Sequence, residues 1–312
     1  MAGPDQPPAV MRRPKSALRR RIEQSIIYWL TAAAAWGLAR LPLRWLRWVG
    51  NAVGWLVFLV FRSRQRLADA NLLRCFGDRF TPAERRRIRL FCTQNAAKTM
   101  LELLKRPRMT REEIMSEVQI ECQEHMEAAL GLGRGVIACT PHYGNWELAG
   151  AVLSMLWGNT AVVARDANDP RTAEIINRAR EATGERVLGR RATMEMVRTL
   201  RAGGIVGILP DQHQAQGGET LTFLGRPAQT ALGPALLSLR TGAPIVVLFA
   251  RRLPNDTFEI RFREPLWPPA DASRSPQAAA ALMQRVNDLM GEEIAAHPEQ
   301  WLWLHNRWKQ PT

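Results

Sequence analysis

Past Val118, short apolar runs alternate with longer stretches whose apolar positions recur at helical spacing. This alternation predicts an α/β fold with a central, mostly parallel sheet flanked by helices. The runs at 135–139, 160–164, 205–209, 245–249 and 258–262 read as strands, and 146–156, 170–183, 192–202, 233–240 and 276–296 read as helices. Upstream the pattern is helical. Thr81-Pro82 supplies an N-cap and then the proline that a first helical turn tolerates, and Thr110 caps a shorter helix carrying Glu112 and Glu113 near its positive end.

Nearer the N-terminus two runs, 25–39 and 49–61, are apolar and uncharged, with Arg40, Arg44 and Arg47 between them. Each is shorter than the ~20 apolar residues of a clean membrane span. Trp29, Trp36, Trp45, Trp48 and Trp55 fall here, and indole rings sit well at headgroup level. The runs therefore predict membrane-associated helices, with a single tilted span from Ser25 as one form of attachment and a pair of core helices as the alternative. The expected organisation is a basic, partly disordered N-terminus over 1–24, a membrane-associated helical segment over 25–66, and an α/β domain over 67–312.

Charge sharpens that division. Of a net +14, a net +10 lies at or before Arg66, where twelve basic residues meet two acidic ones, and only +4 is left for the rest. A nucleic-acid groove would need its basic excess on the folded body, so nucleic acid is not an expected partner; an anionic phospholipid surface is. Cys75, Cys92, Cys122 and Cys139 are widely spaced, with no close pair resembling a metal knuckle or redox motif, and fit a reducing compartment, mostly as buried thiols.

Against this background the segment Thr140-Pro141-His142-Tyr143-Gly144-Asn145-Trp146-Glu147 stands out, because it follows the strand at 135–139 directly. In open α/β sheets the ligand site lies beyond the carboxyl ends of the strands. Arg165-Asp166 and Pro210-Asp211-Gln212-His213 occupy the same position after the next two strands. A neutral imidazole at His142 can take a proton from a hydroxyl as that oxygen attacks a carbonyl, if a carboxylate fixes its tautomer; Glu147 is the expected partner. No Gly-x-Ser-x-Gly elbow is present, and Cys139 sits within a strand, so direct transfer between donor and acceptor is expected rather than a covalent intermediate. No zincin or similar spacing points to a metal.

An ordered set of motifs then carries a resemblance over nearly the whole chain. It runs from Asp69-Ala70-Asn71-Leu72-Leu73-Arg74-Cys75-Phe76 through His142 to Glu147, Asp211-Gln212 and Phe223-Leu224-Gly225-Arg226-Pro227-Ala228, and closes with residues 297–309. In these the chain resembles the lipid A biosynthesis acyltransferases of the lauroyl and myristoyl type, within the His-x4-Asp/Glu acyltransferase superfamily. The resemblance implies a glycerolipid acyltransferase-like fold at the cytoplasmic face of an inner membrane. It also implies transfer of a fatty acyl group from an acyl carrier protein thioester to a 3-hydroxyacyl hydroxyl of a lipid A precursor. In that reading His142 is the general base, Glu147 its orienting carboxylate, and Asn145, Arg165, Asp211 and Gln212 bind substrate. No cofactor beyond the thioester is implied. The acidic carrier would need a local basic patch, for which Arg85 to Arg87, Arg89, Arg190 and Arg191 are available. The alternatives are an acyltransferase for another glycolipid or aminolipid hydroxyl, and an inactive lipid-binding relative.

Overall fold

A computed structural model describes residues 17–164, 169–214, 218–269 and 275–309. The N-terminal part is helical: α1 (Ala17–Trp36), α2 (Leu43–Val60), α3 (Arg62–Phe76), α4 (Pro82–Lys105) and the short α5 (Arg111–Met115). Then come β1 (Val118–Glu121), α6 (Gln123–Leu130), β2 (Val136–Cys139), α7 (Trp146–Trp157), β3 (Thr160–Ala164), α8 (Pro170–Glu181), β4 (Arg186–Gly189), α9 (Thr193–Arg201) and β5 (Ile205–Ile208). The chain continues through β6 (Gly218–Phe223), β7 (Arg226–Ala231), α10 (Gly233–Thr241), β8 (Ile245–Arg252), β9 (Phe258–Phe262) and α11 (Pro276–Ala296).

A seven-stranded sheet runs in the order β1-β9-β8-β2-β5-β3-β4, and β6 and β7 form a separate hairpin. Neighbours in the large sheet are parallel except β8 and β9. Alternate residues of β2 serve opposite faces, as a period of two requires. Ile137 and Cys139 pack with α9, α10 and α11 through Met196, Leu237 and Met290. Val136 and Ala138 pack with α6 and α7 through Met126 and Leu148. Every residue of β2 is buried, which is why this strand reads as a continuous apolar run.

The capping expected from sequence is present. Thr81 accepts from the backbone of Glu84 while the Glu84 carboxylate accepts from the Thr81 backbone, a reciprocal capping box, and Thr110 and Glu113 repeat it at α5. Helix α2 lies close against α4 because Gly50 and Gly54 have no side chain; a Cβ at Gly54 would collide with the Gln94 backbone and one at Gly50 with Lys98.

One N-terminal expectation changes in three dimensions. Among the described residues no helix is long and apolar enough to cross a membrane, and α1 ends at Trp36 before a tight turn over Leu38–Arg40, so the span from Ser25 is not found there. Arg47, unlike the exposed Arg40 and Arg44, faces inward. It is buried, with Nε donating to Glu102 at 2.8 Å and Nη2 to Glu117 at 2.9 Å, because a guanidinium turned inward needs carboxylate partners. Trp29, Trp36, Trp45, Trp48 and Trp55 are all exposed. Of the N-terminus expected to be partly disordered, residues 1–16 lie outside the described residues.

Candidate active site

The pairing register of two neighbouring parallel strands builds the site. Cys139 of β2 lies beside Ile208 of β5, and His142 and Asp211 each stand three residues further on. Equal offsets from paired positions bring the two side chains together. The Asp211 carboxylate accepts from His142 Nδ1 at 2.8 Å, from the His142 backbone N–H at 2.9 Å and from Trp301 Nε1 at 2.8 Å. Burial works to raise the pKa of Asp211, but the charge of His142 and these hydrogen bonds outweigh it and hold the value at about 2. An anionic Asp211 fixes the Nδ1–H tautomer and leaves Nε2 as an acceptor, with the Gln212 amide nitrogen 3.3 Å from it.

The expected contact of Glu147 with the imidazole is not found. Glu147 is buried at the start of α7 and is held by Arg180, whose Nη2 and Nε donate to its two oxygens at 2.8 and 3.0 Å. Burial opposes ionisation of Glu147, but the hydrogen bonds and charge of Arg180 prevail and lower its pKa. No hydrogen bond joins Glu147 to His142, although both line one cavity; the carboxylate at Nδ1 is Asp211, because the β2–β5 register places it there while a fork of guanidinium donors occupies Glu147. Arg106 and Glu185 continue this ion chain at 2.9 Å.

Asn145 is also corrected. Its side chain is buried away from the cavity, with Oδ1 capping α7 at the Leu148 N–H (3.0 Å) and Nδ2 donating to Glu102 (2.8 Å), so its polar groups are spent on holding the turn. Gly144 needs the left-handed φ of +53° found there, and a Cβ would overlap the Ala250 carbonyl. Its own carbonyl accepts from Asn95 at 2.7 Å and Thr99 at 3.2 Å. Arg165 lies outside the described residues.

Trp301 went unassigned in the sequence because packing explains most tryptophans. A buried indole N–H nevertheless needs an acceptor, and here it is Asp211. The C-terminal motif reaches the site because Asn71 of the early Asp69-to-Phe76 motif donates to the carbonyls of Trp303 and His305 at 3.1 and 3.0 Å. His305 Nε2 accepts from the His213 backbone at 3.0 Å, and burial lowers its pKa to about 4, so it stays neutral.

His142 opens on a cavity of about 730 Å³ whose walls include Leu153, Val162, Met196, Leu237 and Leu248, with Gln212 nearby and Arg190 and Arg240 among its lining residues. An imidazole beside a cleft that is apolar on one part of its wall and charged on another, where Glu147, Arg180 and Glu185 also line it, suits a ligand with an apolar chain and a polar part. Cys139 is buried and its thiol is pushed up by burial, the wrong direction for a nucleophile. Among the described residues no group of His, Cys, Asp or Glu is placed to hold a metal ion.

Comparison with known proteins places the chain among acyltransferases. A family model described as bacterial lipid A biosynthesis acyltransferase matches residues 13–310. The phosphatidylinositol mannoside acyltransferase of Mycobacterium tuberculosis is 30% identical over 192 residues, which span 59% of this chain and only 58% of that protein. The lipid A biosynthesis palmitoleoyltransferase and lauroyltransferase of Escherichia coli are 25% and 24% identical over 289 residues, covering 90% of this chain and 92% of each relative.

Proposed function

The chain belongs to the bacterial lipid A biosynthesis acyltransferase family, and from that membership we propose that it transfers a fatty acyl group from an acyl carrier protein thioester to a 3-hydroxyacyl hydroxyl of a lipid A precursor. The observation that carries the reading is His142, fixed through Nδ1 by Asp211 and lining a cavity whose walls are partly apolar and partly charged. The acceptor hydroxyl gives its proton to Nε2 as its oxygen attacks the thioester carbonyl carbon. The tetrahedral intermediate collapses, the C–S bond breaks, and the leaving thiolate takes the proton back from the imidazolium. Asp211 stabilises the transient charge, and no cofactor is consumed. A positioned base of this kind contributes ~10²–10⁴-fold.

Donor and acceptor differ in solubility, so the proposed location is the cytoplasmic face of the inner membrane, with the exposed tryptophans of α1 and α2 at the phospholipid surface. A second reading, another glycolipid as acceptor, draws support from the mycobacterial relative. Purified protein given an acyl carrier thioester with either a lipid A precursor or a phosphatidylinositol mannoside separates the two. The proposal expects an acyloxyacyl product from the lipid A precursor alone, lost in His142→Ala; a product from the mannoside alone would transfer the proposal to the second reading, and no product from either would remove it.

A further inference from the structure

Two basic patches are available for an acidic carrier, and the fold treats them differently. The arginines at the start of α4 are largely engaged: Arg85 donates to Asp69 at 3.1 Å and to the Phe80 carbonyl at 2.8 Å, Arg89 to the Gln65 carbonyl at 3.2 Å, and Arg86 lies 5.5 Å over the Phe58 ring. At the rim formed by α9 and α10 the situation is reversed. Arg190, Arg191 and Arg240 are exposed, and no ion pair engages them among the described residues. Arg198 and Arg201 of α9 add to the excess, against Glu195 alone on that helix. Arg190 and Arg240 also line the cavity that His142 opens on, and the exposed Met194 and Leu236 lie on the same two helices.

We propose that this rim is the docking surface for the acyl donor's protein carrier, an acidic protein whose thioester-linked chain enters the cavity between Arg190 and Arg240. The inference rests on the acyl-transfer reading above and adds the place where the donor lands. A rim of arginines with small apolar contacts fits a helix of acidic and apolar residues, steering encounter by charge and leaving Met194 and Leu236 to pack. A lipid surface is the less suitable occupant, because the exposed tryptophans that mark an interfacial face lie on α1 and α2 and neither α9 nor α10 carries an aromatic residue.

The test uses the full chain with the double substitution Arg190→Glu/Arg240→Glu, both sites being exposed. Turnover is compared for one acyl chain presented on an acidic carrier protein and on a small-molecule thioester, beside direct titration of the carrier and co-sedimentation with anionic phospholipid vesicles. The expected result is a KM for the carrier-borne donor that rises about tenfold more than the KM for the small thioester, weaker carrier binding, unaltered vesicle binding, and recovery in Arg190→Lys/Arg240→Lys. An equal change for both donors, no change, or a loss confined to vesicle binding would overturn it. If the wild-type protein transfers from neither donor, the acyl-transfer reading falls, while the carrier titration still decides the docking surface.

Discussion

Asp211 and Glu147 are buried carboxylates near the ends of strands, yet their partners give them different work. Asp211 gathers donors from His142 and Trp301 and stays ionised beside the imidazole, whereas Glu147 is satisfied by the bidentate guanidinium of Arg180. Asp211→Asn keeps the size of the side chain but removes the charge that fixes the tautomer, so turnover should fall by ~10²–10⁴-fold even in the folded fraction of the variant. Glu147→Gln leaves Arg180 buried against a neutral amide; its cost should appear as a lower melting temperature, on the order of 3 kcal/mol, with turnover of the folded enzyme within about tenfold of wild type. Turnover and thermal melts run side by side check this pair, and an equal loss of turnover in both variants without destabilisation of Glu147→Gln would contradict the assignment. From sequence, His142 was legible because its polar turn directly follows an apolar strand. The choice between two carboxylates was not, because it depends on which residues of β2 and β5 lie side by side.

At the scale of elements, the buried strands and the long helices were readable because burial imposes a pattern. The five predicted strands and the helices from α7 to α11 correspond to observed elements. β4, in contrast, is an edge strand exposed at both ends, so Arg186-Val187-Leu188-Gly189 has no uninterrupted apolar run to betray it. β1 is likewise a partly exposed edge strand. The β6–β7 hairpin was visible only as a motif: its turn is Leu224-Gly225, both at positive φ, and leucine is a poor signal for a left-handed position. The contact of α2 with α4 depends on glycines that sequence alone cannot distinguish from loop residues. Gly54→Leu should therefore force the two helices apart, lowering the melting temperature by an amount equivalent to at least ~1–3 kcal/mol, the usual range for overpacking. A melt of this variant unchanged from wild type would show that α2 is not closely packed in solution.

The whole molecule combines an aromatic, apolar N-terminal surface, a buried ion network behind the His142 turn, and a cavity beyond the sheet. Glu102 ties these parts together, accepting from Arg47 of α2, Arg252 of β8 and Asn145 of the turn. The uneven distribution of the +14 net charge was readable in the sequence, but the inward turn of Arg47 was not, because burial of one guanidinium is decided by partners far along the chain. In the proposed function this molecule adds an ester-linked acyl chain to a membrane glycolipid, with His142 as its base. Mass spectrometry of the glycolipids from a host carrying wild-type protein, His142→Ala or neither tests this most directly, because one spectrum reports both acceptor and acyl chain. The predicted result is a lipid A species heavier by one fatty acyl group in the wild-type host only. A spectrum unaltered by the wild-type protein, or an added acyl group that persists with His142→Ala, would contradict it.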